Sequence, residues 1–212
     1  MIEELNNTFF TQYGKFIAYQ HKKHLALPFK DHPQFSILLD TLSRKDHHHA
    51  LIQTDFSTKM LIAFLETLLL HLCQDNMPNH LRYAECIYFN YENCFLTKEK
   101  YAAIENDFQK LLTWLDVQDK YLLVILPSTD FLSYDQPHPD HRFLCGQLNL
   151  LLSHPKCRFL VFVDNNNPHL GKLNDDFSLL SLKTSMESDI IPLLKRERTE
   201  LENFHHVLMF ID

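Results

Sequence analysis

Ala50-Leu51-Ile52-Gln53-Thr54-Asp55-Phe56-Ser57-Thr58-Lys59-Met60 carries a short apolar strand into a polar loop and the loop into a helix. A strand, a loop and a lysine at the mouth of a helix is the layout of a phosphate-binding loop, GxxxxGK[ST]. In that motif glycine amides cradle the phosphates, the lysine reaches the terminal ones, and the hydroxyl holds Mg²⁺. Here the spacing is kept and Lys59 is in place, but Gln53 and Thr58 fill both glycine positions and Met60 replaces the hydroxyl. Asp55 adds a negative charge where phosphates would sit. Exposed loops often contain lysine, so the weight of this segment depends on its surroundings.

Outward from it, five short apolar segments read as strands: Ala50–Gln53, Cys86–Asn90, Tyr121–Pro127, Cys157–Asp164 and Phe177–Leu182. The third and fourth are apolar throughout rather than alternating, as in parallel strands covered on both faces. Helical periodicity fills the intervals. Thr58–Gln74 carries Leu61, Ile62, Leu65, Leu68, Leu69 and Leu72, and Lys98–Leu115 carries Tyr101, Ile104, Phe108, Leu111, Leu112 and Leu115. Arg142–Ser153 and Ser185–Phe204 continue the alternation, with Pro192 near the first turn of its helix or kinking it, and Gln34–Ser43 precedes the first strand. Strand and helix alternating in this way predict a doubly wound α/β sheet.

Bulk composition narrows the class. A chain of 212 residues, 45% hydrophobic, is one domain of ordinary size with a substantial core. No apolar run approaches a membrane span, and Met1-Ile2-Glu3-Glu4 lacks the features of a signal peptide, so a cytoplasmic protein without membrane insertion is expected. A formal charge of −7 argues against nucleic acid, because neutralising phosphates needs clustered Lys and Arg. Cysteines 73, 86, 94, 145 and 157 form no CxxC pair and several lie in apolar runs, which reads as structural thiols in a reducing compartment. With three glycines in all, few positions can bring backbone close to a ligand or adopt positive φ.

Other candidate sites have plainer readings. His47-His48-His49 and His138-Pro139-Asp140-His141 invite a metal, but consecutive histidines in a regular element cannot all face one ion. A polar loop entering a strand is expected instead. Asp164-Asn165-Asn166-Asn167-Pro168 follows a strand's carboxyl end, where α/β proteins bind ligands, and reads as a polar turn. No GxSxG supports a serine nucleophile, and no Cys/His pairing is signalled. Phe9, Phe10, Tyr13 and Phe16 suggest an amphipathic start, docked on its own core or on a partner.

Taken in order, these segments resemble the first ATPase module of Clp-type AAA+ unfoldases over nearly the whole chain. Tyr13-Gly14-Lys15, Leu27-Pro28, Leu42-Ser43-Arg44-Lys45 and His47-His48-His49 follow the family's run into its phosphate loop. Lys100-Tyr101-Ala102-Ala103-Ile104-Glu105 is similar to its substrate-gripping pore loop, with Tyr101 kept, and Leu201–His206 to the end of a late helix. The resemblance implies a P-loop-NTPase-like, AAA+ large-subdomain three-layer sandwich with a five-stranded parallel sheet and no helical lid domain. Residues 1–30 are expected as a helical or linker segment packed on it, and 31–212 as the α/β domain.

The departures fall on the family's catalytic positions. Where it has an Asp-Glu pair for Mg²⁺ and water, this chain has Leu126-Pro127. Where paired arginines reach a neighbour's nucleotide, it has Asp175-Asp176, while Asn165 is similar to a polar sensor residue. The resemblance therefore implies a degenerate module: not an enzyme, with no cofactor, no catalytic or metal residues and no nucleotide-binding set. A monomeric protein-interaction adaptor is expected. In size and acidic character it is similar to LvgA-like adaptors of the Dot/Icm type IV secretion coupling complex, which implies coupling-complex subunits and secreted effectors as partners. The alternative is a regulatory domain that holds a nucleotide through Lys59 without hydrolysing it.

Overall fold

A computed structural model describes residues 14–16, 33–56, 58–72, 77–82, 84–89, 98–132, 139–163, 176–182 and 195. In chain order the elements are β1 (Gly14–Phe16), α1 (Pro33–Ser43), β2 (His49–Thr54), α2 (Thr58–Leu72), β3 (Glu85–Phe89) and α3 (Lys98–Val117). There follow β4 (Leu122–Leu126), a 3₁₀ turn (Thr129–Leu132), α4 (Pro139–Leu152), β5 (Cys157–Val163) and β6 (Phe177–Leu182).

All five expected strands form, and they make a parallel sheet in the order β3-β4-β5-β2-β6. Every residue of β4 and β5 is buried, which is why neither alternates in sequence. Within β5 the side chains still divide by the strand period of two. Phe159, Val161 and Val163 enter the core under α3 and α4, with Phe108, Leu111, Leu144 and Leu148. Leu160 and Phe162 enter the core under α1 and α2, with Phe35, Leu38, Phe64 and Leu68. Helices on both faces give three layers, and each fully buried Leu or Phe contributes roughly 1.5–3 kcal/mol.

One expectation is corrected at the amino-terminal segment. Residues 14–16, expected within a helical or linker stretch, form β1, which pairs antiparallel with β3 at Gly14↔Phe89 and extends the sheet by a sixth strand. A three-residue strand is too short to show a period, so the sequence could not signal it. Helix α4 begins at Pro139, ahead of the expected Arg142, because proline suits the first helical position and Asp140 favours the first turn. The expected helix Ser185–Phe204, the turn after Asp164 and the remainder of 1–30 lie outside the described residues, except for helical Lys195.

Two cations at the start of β5 tie helices on opposite faces to the sheet. Lys156 Nζ donates to the carbonyls of Leu115, Asp116 and Gln118 at 2.9, 3.2 and 2.6 Å, at the end of α3. Arg158 Nε donates to Leu42 O at 3.0 Å and Nη2 to Arg44 O at 3.2 Å, at the end of α1. Terminal helix carbonyls lack intrahelical donors and carry partial negative charge, so a cation there satisfies both needs.

Among the described residues glycine is not where the chain turns left-handed: φ is positive at His47 (50°) and at no glycine. Gly146 instead lies inside α4, and a Cβ added there meets nothing within 4 Å. Gly146→Ala is expected to stabilise the domain by about 0.5–1 kcal/mol by removing glycine's backbone entropy from a helix interior. A higher urea midpoint checks it; an unchanged or lower one contradicts it.

Candidate functional site

The chain leaves β2, crosses over β5 and β4 to reach β3, then returns strand by strand to β5 before β6 adds on the far side of β2. Strand order therefore reverses at β2, whose carboxyl end is the switch point where doubly wound sheets bind ligands. The Gln53–Met60 segment lies there. Gln53 is paired in register with Val163 on one side and Ser181 on the other, and Thr54 with Leu182. The strand thus runs one residue past the first glycine position, and helix α2 starts at Thr58.

Between them the backbone is already engaged. Thr54 Oγ1 accepts a hydrogen bond from the Phe56 N–H at 3.1 Å, and the Phe56 ring lies 5.8 Å from that of Phe64 in the core beneath α2. Asp55 is exposed, Gln53 half-buried, and Met60 half-buried against the same core. Lys59 is in the first turn of α2. A phosphate cradle needs several free amides converging on one centre. Here one of those amides is taken by a side-chain hydroxyl, and an aromatic ring anchors the loop inward. The Thr54-x-Phe56 turn has a sequence signal, since threonine hydroxyls bond amides two residues on.

At the carboxyl end of β4, Leu126 is fully buried and Pro127, half-buried, has no amide hydrogen to offer. Ser128 Oγ then accepts from the Asp130 N–H at 3.2 Å and opens the 3₁₀ turn, leaving Asp130 exposed. Asp176 is exposed at the amino end of β6, the sheet edge opposite the β2–α2 loop, roughly 20 Å away by the length of a strand. Asp175 and Asn165 lie outside the described residues.

Tyr101 departs from the expectation of a gripping residue. It is half-buried in the first turns of α3, its hydroxyl donates to Asp140 Oδ1, and its ring stacks on Phe143 at 4.4 Å and 15°. The Asp140 contact raises the Tyr101 hydroxyl's pKa, with smaller contributions from burial and from the Asp140 charge. The side chain thus docks α3 onto α4. The partners are 39 positions apart, a separation that no local pattern reveals.

The three consecutive histidines have three different environments. His47 is exposed, and His48 donates from Nδ1 to Lys45 O at 2.7 Å. His49 is buried, with Nδ1 accepting the Phe159 N–H at 3.0 Å and its ring 5.5 Å from Phe159 and 5.2 Å from Phe177. Burial, reinforced by the His48 ring and Arg158, lowers His49 to about 3. Among the described residues no three metal-ligating side chains gather. Cys86, Cys145 and Cys157 are buried and outside any disulfide, and burial pushes Cys145 up to about 11.

Strand order, the strand–loop–helix at the switch point and helices on both faces define a doubly wound, three-layer α/β fold. Solved structures of Hsp104 from S. cerevisiae share that architecture. The extended casein complex superposes with a TM-score of 0.67 at 12% identity, covering 95% of this chain and 35% of that one. The closed state with ATPγS and FITC-casein gives 0.70 at 13%, covering 92% and 34%. The ADP complex gives 0.70 at 14%, covering 95% and 29%. This chain thus spans about a third of the length of the chains it matches. No protein-family model matches the sequence, and no curated protein matches it. At such identity the likeness establishes the fold, a Clp-type AAA+ architecture, and leaves the chemistry to the residues. Among the described residues no helix is long and apolar enough to cross a membrane.

Proposed function

We propose that this domain is a non-catalytic protein-interaction adaptor built on an AAA+-like fold. The observation that carries the reading is the β2–α2 loop, where Thr54 takes the Phe56 amide and Phe56 turns into the core. Leu126-Pro127 at the end of β4 and Asp176 ahead of β6 support it, since neither supplies the carboxylate pair or the arginines that phosphoryl transfer uses. What remains is a three-layer sandwich on a chain of net charge −7, suited to unlike protein partners and ill suited to polyphosphates or nucleic acid. Hsp104 has been solved bound to casein, so the architecture accommodates contact with other proteins. Size and net charge also suit an adaptor subunit of a type IV secretion coupling complex, with secreted effectors among its partners.

A second reading has one observation in its favour: Lys59 stands at the loop–helix junction where a phosphate-binding lysine would. That reading is a regulatory domain that holds a nucleotide without hydrolysis.

Self-association and capture separate an adaptor from a ring-forming motor. Light scattering after size-exclusion chromatography is expected to give the mass of one chain, 25.2 kDa, unchanged by ATP. Capture from native cytosol is expected to retain defined proteins that rebind in purified form at a fixed ratio. A closed ring that assembles on adding ATP, or no protein that rebinds, would contradict the adaptor reading.

A further inference from the structure

The connection between α1 and β2 presents carbonyls that side chains take at Leu42, Arg44 and Lys45. Arg158 donates to Leu42 O at 3.0 Å and Arg44 O at 3.2 Å. His48 Nδ1 donates to Lys45 O at 2.7 Å, and the Ser43 carbonyl lies near enough to His80 to favour its protonated form. Tyr121 backs the group, with the Arg158 guanidinium 4.5 Å from its ring centre and the His80 ring 4.9 Å away. His49 follows directly, its ring 4.2 Å from that of His48.

Neither His48 nor His49 has room for a second proton. His48 Nε2 is buried and meets no hydrogen-bond partner, so a proton there would be a buried cationic donor without an acceptor. His49 Nδ1 accepts the Phe159 N–H, so a proton there would set two donors face to face and break the tie to β5. A third positive charge, Arg158, stands beside all of them.

We propose that residues 42–49 form an acid-sensitive hinge, closed at neutral pH by Arg158 and His48 on the carbonyls of Leu42, Arg44 and Lys45 and by His49 on the Phe159 amide, and opened when the histidines of this cluster take up protons. The inference is independent of the adaptor reading.

The charged groups around the cluster decide its sign. Burial first, then Arg158, lowers the pKa of His48 and of His80, and His49 feels burial, His48 and Arg158. Asp46 and Asp176 pull the other way on His48, as do the carbonyls of Lys45 on His48, Ser43 on His80 and Leu152 on His49, without overcoming burial. A base with a lowered pKa in the closed state binds more protons in the open state. Stability of the closed form is therefore fully present above the ordinary histidine value and falls as pH drops below it. With an open-state value of about 6.5, His49 alone raises the opening constant by ~10-fold between pH 7.5 and 5.5. His48 and His80 add to that.

Hydrogen exchange of the full chain, corrected for the intrinsic pH dependence of amide chemistry, tests this. The opening constant over residues 42–49 is expected to rise at least ~10-fold from pH 7.5 to 5.5 while α3 retains a lower opening constant. His49→Asn keeps an acceptor for the Phe159 amide but cannot titrate, and should flatten most of the rise. His48→Asn should lessen it, and serves alone if the first variant does not fold. A wild-type rise under ~2-fold, an undiminished rise in the variants, or α3 opening to the same constant as 42–49 would overturn the proposal.

Discussion

Replacing Arg158 with methionine is expected to destabilise the domain by about 3 kcal/mol. Two effects oppose each other. Methionine removes a guanidinium that is 2% exposed and whose pKa burial lowers, which relieves a desolvation cost. It also strips donors from the carbonyls of Leu42 and Arg44 at the end of α1, and from those of Pro155 and Cys157 at 2.8 and 2.9 Å. Hydrogen bonds to charged groups contribute roughly 1.5–3 kcal/mol each, and a buried acceptor left alone costs roughly 1–3 kcal/mol. Several orphaned carbonyls outweigh one relieved cation, especially where the helix end and the Tyr121 ring already favour positive charge. Arg158→Lys keeps the charge but not the planar fork, and should fall between the two. Urea unfolding measures it; a loss below about 1 kcal/mol for Arg158→Met would mean that water replaces the guanidinium at these carbonyls.

The same residue marks the limit of what the sequence discloses. β4 and β5 were legible because strands buried on both faces are apolar throughout, and α1 to α4 because their core residues recur at helical spacing. The position of the Gln53–Met60 loop followed from that alternation. Arg158 gave no signal: it sits in an otherwise apolar strand, and its partners at Leu42 and Arg44 are 116 and 114 positions away. Tyr101 shows the same limit. Its match to a pore loop is local, whereas its bond to Asp140 is tertiary. The histidine run was separated from a metal site by the rule that consecutive residues in a strand face opposite ways. Its actual partners, Lys45 O and the Phe159 amide, come from a turn and from a strand that enters the sheet much later.

The second large effect concerns nucleotide. A micromolar complex needs about 8 kcal/mol of binding free energy. In a phosphate loop much of that comes from backbone amides on charged oxygens, at roughly 1.5–3 kcal/mol each. In this chain the Phe56 amide is bonded to Thr54 Oγ1, side chains occupy both glycine positions, and exposed Asp55 repels a polyphosphate. Losing that one amide alone weakens binding by roughly 10–10²-fold. Met60 and Leu126-Pro127 offer Mg²⁺ no oxygen ligand from their side chains, and Asp176 supplies the wrong charge for an arginine finger, which is worth about 10³–10⁵ in rate. On the proposed reading Lys59 is a cation without the amide cradle and metal ligands of a phosphate site. Titration calorimetry of the full chain with ATP and Mg²⁺ addresses this most directly. The fold without its nucleotide chemistry predicts no binding heat in the micromolar range. A micromolar isotherm that disappears in Lys59→Ala would contradict it.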